Sequence, residues 1–202
     1  MRQTHWENIY QTKDHKSVSW YQEVPSISLE LLDKVEASPE QSFIDIGCGA
    51  SVLVDHLLER GFDNVTLIDL SSAALDIVKQ RLGDKSQIPT YISQDITDDS
   101  WVQSYDIWHD RAVFHFLTQQ QDRQCYMHNL LKGLTPQGRA IIGTFSLEGP
   151  NMCSGLDIVQ YDADKMQQEL MGDLVLDSTE THTHIMPNGS KQEFMYFIIK
   201  RQ

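Results

Sequence analysis

The chain has little cysteine, little basic charge and no long apolar run, and each shortage excludes something. Its three cysteines, Cys48, Cys125 and Cys153, are odd in number and widely spaced, with no CxxC. That argues against a disulfide framework and against a zinc site, so no metal is expected. Lys and Arg number 16 against 29 Asp and Glu, a formal net charge of −13. An acidic surface repels phosphate backbones, so no nucleic-acid partner is expected, and the excess acid reads as a solvated face that aids solubility. No apolar stretch approaches a membrane span, and the opening "MRQTHWENIYQTKDHKSVSWYQ" has no apolar signal core. A cytoplasmic protein without a membrane partner is the expectation.

What is present is the mix of a globular protein, 40% hydrophobic and 22% charged over 202 residues. That length suits one domain, residues 1–202, with a sizeable core. Residues 1–22 hold Trp6, Tyr10, Trp20 and Tyr21. A disordered tail is rarely so aromatic, so this stretch reads as an arm folded onto the domain.

Apolar strand patterns ("SFIDIG", "NVTLIDL", "PTYISQDI", "SYDIW", "GRAIIGTFS") alternate with helical ones ("SVLVDHLLERG", "SSAALDIVKQRLG", "QQQDRQCYMHNLLKGLTPQG"), the last ended by a Pro-Gly turn. A helix over "SISLELLDKVEAS" precedes them. A helix over "DADKMQQELMG" follows, then "LVLDSTETHTHIM" and "KQEFMYFIIKR", strands joined by the hairpin turn "PNGS". Alternation implies a parallel sheet with right-handed crossovers, and the hairpin brings one strand in antiparallel at an edge. The expected fold class is α/β, a Rossmann-like three-layer α/β/α sandwich with a seven-stranded, mostly parallel sheet and an antiparallel C-terminal hairpin.

Gly47 and Gly49 lie in "GCGAS", after a strand and before a helix. Glycine there lets the backbone turn sharply and approach a ligand. Asp69 closes the next strand about 20 residues on, where an acid can accept ribose hydroxyls. A dinucleotide site usually has a third glycine where this chain has Val52, which argues against NAD or FAD. The third strand ends in "SQDIT", which puts Asp95 at the same sheet edge, with Ile96 able to pack on an adenine ring. Taken singly, Asp69 reads as well as a helix cap and Asp95 as the start of a turn. Two acids ending successive strands after GxG point jointly to an adenosine ligand.

The order D-I-G-C-G, L-I-D-L-S, S-Q-D-I resembles the class I S-adenosylmethionine-dependent methyltransferases over nearly the whole chain. The arm "HWENIYQTKDHKSVSWYQ" resembles the N-terminal signature of the methyltransferase-like group that includes eukaryotic protein-lysine methyltransferases. It is closer still to bacterial relatives sharing "VSWYQ" and "HDRAVFHFLT". The resemblance implies S-adenosyl-L-methionine as cofactor and a methyl acceptor as partner. It implies that Gly47 and Gly49, with Cys48 between them, approach the methionine part and ribose. Asp69 holds the ribose with Leu70 beside the adenine, and Asp95 and Ile96 hold the adenine. Trp6 and Tyr10 match arm aromatics that cover the cofactor, and Arg111 matches a basic position near it. One departure is visible: lysine-modifying relatives tend to carry acid–Lys/Arg–Gly after strand four, whereas "HDRAVF" has Ala112 for the glycine and an extra histidine.

The acceptor pocket is expected at the carboxyl ends of strands four and five. Asp110 is expected to accept from an amine acceptor, and His109 or His115 to act as general base. His115 suits a satisfied buried histidine as well, Trp108 reads as core, and for Asp110 and Arg111 a local ion pair is the alternative to the favoured functional reading. Trp20, Tyr21 and Phe145 are expected to line the acceptor side, and the loop "FSLEGPNMCSGLDIVQYD" to wall it. Cys153 reads as a passive thiol, and His182 and His184 as solvent-face residues. The expected function is methyl transfer from S-adenosylmethionine to an amine, thiol or oxygen on a small molecule. Alternatives are a protein lysine as acceptor, or a non-catalytic S-adenosylmethionine-binding module.

Overall fold

The first two strands are apolar runs because their residues are covered on both faces. In the computed structural model, which describes residues 2–98 and 103–202, every residue of β1 (Phe43–Ile46) and β2 (Val65–Asp69) is buried. Such strands read as continuous apolar runs rather than alternating ones. Before and between them lie α1 (Arg2–Thr12), α2 (Ser26–Lys34) and α3 (Leu53–Glu59). Then follow α4 (Ser72–Leu82), β3 (Thr90–Ser93), β4 (Tyr105–Arg111), α5 (Gln120–Gly133) and β5 (Leu134–Phe145). A small ribbon of β6 (Met152–Cys153) and β7 (Leu156–Asp157) precedes α6 (Ala163–Glu169), and β8 (Leu174–Ile185) and β9 (Lys191–Arg201) close the chain. Met1 of the expected arm lies outside the described residues.

The sheet order is β3-β2-β1-β4-β5-β9-β8, with parallel pairing from β3 through β5. This is the predicted seven-stranded, mostly parallel sheet. Apolar residues of α2, α3 and α4 (Leu31, Leu57, Val78) join one core cluster. Those of α5 and α6 (Tyr126, Leu130, Met166) join a second with Ile44 and Trp108. β1 alternates between the two, Phe43 in the first and Ile44 and Ile46 in the second. The layers are therefore α/β/α.

Two details differ from expectation. The antiparallel strand is β9, and it lies one position in from the edge, between β5 and β8. Its Phe194, Tyr196, Phe197, Ile198 and Ile199 are buried, whereas β8, "LVLDSTETHTHI", is mostly polar and half-exposed and so suits the edge. The Pro-Gly turn after α5 does not separate helix from strand. β5 begins at Leu134, directly after the helix, and residues 135–138 sit in an irregularity where pairing jumps from Tyr105↔Leu134 to Ile107↔Arg139. Pro136 donates no ladder hydrogen bond, so a break in register accommodates it. Among the described residues, no helix is long and apolar enough to cross a membrane.

Candidate active site

The chain leaves β1 through two left-handed glycines, Gly47 (φ 59°) and Gly49 (φ 54°). Both have neighbours where a side chain would go. A Cβ at position 47 would fall 2.1 Å from Val113 Cγ2, and one at position 49 would fall 2.3 Å from the Tyr10 hydroxyl. Conformation and space both demand glycine. Asp69, at the tip of β2, ties this loop to α4: its carboxylate accepts from the Gly49 and Ser71 backbone N–H groups, each at 2.8 Å. Burial pushes the Asp69 carboxyl up to about 6, against the pull of those two hydrogen bonds. Ser71 caps α4 as predicted, its Oγ accepting from Ala74 N–H at 3.2 Å.

The arm docks on this same loop. Glu7 accepts from Ser71 Oγ at 2.7 Å and from Ser72 Oγ at 3.2 Å, which sets a carboxylate at the N-terminus of α4. The Ser71 bond is the main cause holding the Glu7 carboxyl below its usual range. Arg2 pairs with Asp122 at 2.9 Å. Trp6 meets Trp20 and Phe116 edge-on, centroids 5.7 and 5.1 Å apart, and Tyr10 meets Trp20 at 6.4 Å. The chain after α1 is held by its carbonyls: Arg111 Nη1 donates to Trp20 O at 2.9 Å, and His184 Nε2 lies 2.8 Å from Ser19 O. His184 is thus buried under the arm, 3% exposed, rather than on the solvent face where its alternation had placed it.

Beneath the arm lies one pocket at the carboxyl ends of the strands. Gly47, Cys48, Gly49, Asp69 and Leu70 line its centre, with Asp95 and Ile96 at one end. Trp6 and Tyr10 roof it, and Trp20, Tyr21, His109 and Arg111 line the other end. Cys48 and Cys153 also face it, and burial is the chief cause that pushes both thiols up, away from the reactive thiolate.

Three expected site residues are not in this pocket. Residues alternate across β4, so His109 and Arg111 face the pocket while Trp108 and Asp110 face the α5 side. The Asp110 carboxylate accepts from the Tyr126 hydroxyl at 2.6 Å and from Val113 and Phe114 N–H at 2.9 and 3.2 Å. It is fully enclosed, burial pushes it up to about 7, and it pins the turn after β4 rather than meeting an acceptor or pairing with Arg111. His115 is equally enclosed. Its Nδ1 accepts from Phe145 N–H at 3.3 Å, and burial pushes it down to about 3, so it is a neutral packed ring and not a base in the pocket. Phe145 is core, its ring 4.8 Å from His115 and 4.7 Å from Phe194. Trp108 is core too, donating Nε1–H to the Tyr126 hydroxyl at 3.1 Å.

The pocket also contains two residues that sequence reasoning did not single out. His109 Nδ1 lies 2.7 Å from Asp45 Oδ1, and His109 Nε2 lies 2.9 Å from Ser28 Oγ. Asp45 carried a signal, a lone acid in a fully buried strand that must find a partner. Ser28 carried none. A further difference is at Ala112, which adopts φ 70°. The resemblance associates glycine with this position, and the left-handed backbone explains why glycine suits it.

The glycine cradle, the carboxylates at the tips of β2 and β3 and the aromatic roof fit an adenosine ligand with a cationic sulfur. Over residues 44–140 the chain matches the methyltransferase-domain family model. It is 27% identical over 95 residues to the eEF1A lysine and N-terminal methyltransferase of Mus musculus, covering 46% of this chain and 13% of that one. It is 24% identical over 118 residues to malonyl-[acyl-carrier protein] O-methyltransferase 1 of Ilyobacter polytropus, covering 55% and 43%. The chain thus spans less than half the length of either curated relative. A solved SAM-dependent methyltransferase from Anabaena variabilis superposes with a TM-score of 0.78 at 17% identity, covering all of this chain and 93% of that one. The match to the methyltransferase-domain model and the methyltransferase relatives support a class I S-adenosylmethionine-dependent methyltransferase with S-adenosylmethionine as its cofactor, and the structural superposition shows the same fold.

Proposed function

We propose that the protein transfers a methyl group from S-adenosylmethionine to an amine, thiol or oxygen on a small molecule. The observation that carries this reading is the single pocket that joins the Gly47–Gly49 cradle, Asp69 and Asp95 to His109 and Arg111 on β4. When bound, the cofactor supplies an electrophilic methyl group on a sulfonium. Each Asp69 oxygen accepts one backbone N–H, and an ionised carboxylate has about four acceptor sites, so two remain for ribose hydroxyls. Asp95 and Ile96 would take the adenine, and Gly47, Cys48 and Gly49 the methionine end. Trp6 and Tyr10 would face the sulfonium, where an aromatic contributes about 0.5–2 kcal/mol. Arg111 stands between cofactor and acceptor. Tyr21 and Trp20 wall the acceptor end, where holding the nucleophile on the axis of the reacting bond is the main catalytic task.

A protein lysine is the second reading, supported by the arm and by the name of the mouse relative. Two features weigh against it. Trp20 and Phe116 close over the pocket beside Trp6. The Arg111 guanidinium, which forms no ion pair with a carboxylate among the described residues, opposes an incoming ammonium. Calorimetric titration with S-adenosylhomocysteine and with NAD tests the cofactor, with binding of the first alone expected; failure to bind S-adenosylhomocysteine sinks the proposal. Methyl-labelled S-adenosylmethionine incubated with fractionated extract then reports the acceptor. Label in protein bands alone favours lysine, and binding without any transfer favours a silent module.

A further inference from the structure

We infer that Ser28, His109 and Asp45 form a proton relay at the acceptor end of the pocket, and that the acceptor is a neutral hydroxyl or amine. The inference rests on the methyltransferase reading and deepens it. The three residues come from α2, β4 and β1, and all three line the pocket. They are 0%, 2% and 3% exposed, so the chain of hydrogen bonds is dry.

The partners determine its direction. An ionised Asp45 can only accept, so the hydrogen between Asp45 Oδ1 and His109 belongs to Nδ1. Nε2 then carries the lone pair and accepts from the Ser28 hydroxyl. Ser28, having donated its own hydrogen, keeps oxygen lone pairs for a donor in the pocket. Phe43 stacks on the His109 ring at 6.1 Å and 27°, which holds the imidazole plane. Asp110 faces the opposite side of β4, and Arg111, which donates Nη1 to Trp20 O, forms no ion pair with Asp45 among the described residues. A neutral apolar set would fill the same space without burying an acid, and replacing a buried ionic group in this way is often no loss to stability. The arrangement is better explained by a task.

That task balances as follows. The lone pair of the acceptor oxygen or nitrogen forms the bond to the methyl carbon, and the carbon–sulfur electron pair returns to sulfur, leaving a neutral thioether. The acceptor's proton passes to Ser28 Oγ as the Ser28 proton passes to His109 Nε2. The imidazolium so formed is held by Asp45 until the product leaves, and the proton then returns through Ser28 Oγ to water that enters the emptied pocket. A carboxylate or thiolate brings no proton, and the relay would have nothing to take from it. Ser28 is the group that meets the acceptor, and Asp45 is a positioning residue acting through His109.

The test uses the full chain saturated with S-adenosylhomocysteine and labelled with 15N-histidine. The His109 hydrogen is expected on Nδ1, toward Asp45, with none on Nε2; a hydrogen on Nε2 overturns the relay. Asp45→Asn, whose amide can donate to Nδ1, is expected to move the hydrogen to Nε2. With labelled S-adenosylmethionine and the extract fraction that the wild type methylates, Ser28→Ala is expected to lower kcat by about 10²–10⁴-fold. The KM for S-adenosylmethionine and the affinity for S-adenosylhomocysteine should not change, and Ser28→Thr should restore most of the rate. Wild-type kcat in Ser28→Ala overturns the relay, as does a wild type that methylates only carboxylates or thiols, or nothing at all. In each of those cases retained S-adenosylhomocysteine binding leaves the cofactor reading standing, whereas its absence overturns that reading separately.

Discussion

The two faces of β4 carry neighbouring residues with opposite duties. His109 and Arg111 look into the pocket, where each is tied to the arm or to α2 by one hydrogen bond. Trp108 and Asp110 look toward α5, where Tyr126 ties them together through a single hydroxyl. The pocket face uses polar groups that line the ligand cavity, His109 buried and Arg111 half-buried. The far face uses polar groups that are wholly satisfied inside the protein. Adjacent polar residues are therefore functional candidates or scaffold according to parity along one strand. Loss of a far-face residue should damage the fold and spare binding; loss of a pocket residue should do the reverse.

The sharpest break of that contrast is Trp108→Ala. Emptying so large a buried site is expected to destabilise the fold by about 3–5 kcal/mol, which lowers the thermal midpoint by about 10 °C or more in a chain of this size. The fraction that stays folded should bind S-adenosylhomocysteine with unchanged affinity by calorimetry; a large loss of affinity would blur the two faces. Asp69→Ala, on the pocket side, is expected to weaken S-adenosylhomocysteine by about 10–100-fold, as a loss of charge-assisted hydrogen bonds. Unchanged affinity would move the ribose contact elsewhere.

Asp110 offers a comparison by pH. Its carboxyl is pushed up to about 7 from an ordinary value of 3.8, so between those limits the folded state holds a proton that the unfolded state has lost. Stability from this group is full below about 4 and is lost as pH rises through 7. His115, pushed down to about 3 from 6.5, acts in the opposite sense, and its contribution is lost as pH falls. Asp110→Asn should therefore gain on the wild type in melting temperature by several degrees from pH 4 to pH 8. Parallel melting curves across that range would mean that Asp110 stays ionised in the fold. Its S-adenosylhomocysteine affinity at pH 7 should match the wild type. The smallest effect is at the junction of the two faces. Ala112→Gly relieves a left-handed alanine and is expected to stabilise by roughly 1 kcal/mol, read as a rise of about 2–4 °C. A fall would mean that the alanine methyl packs better than its backbone is strained.

Much of this architecture was legible because it depends on short-range rules. Alternation of strand and helix patterns gave the layers, the serine before α4 gave its cap, and glycines flanking Cys48 marked a turn that admits no side chain. Parity along β4 was legible too: neighbours in a strand point apart, and Asp110 beside His109 was bound to face away from it. His115 and Phe145 were less accessible, since the turn after β4 and the tip of β5 decide which way they point. The pairing of Ser28 with His109 could not be read at all. They stand 81 residues apart, and no local pattern brings the first turn of α2 to the middle of β4.

The amino-acid sequence alone determined the parallel sheet, the glycine cradle and the acids at the strand tips, because backbone conformation and the two-residue period of a strand act within a few residues. Tertiary structure alone decided that Glu7 docks the arm on Ser71 and Ser72, that β9 lies inside the sheet edge, and that Asp45, His109 and Ser28 meet. Those contacts depend on where distant segments cross, and burial then assigns each polar group the partner that it cannot find in water.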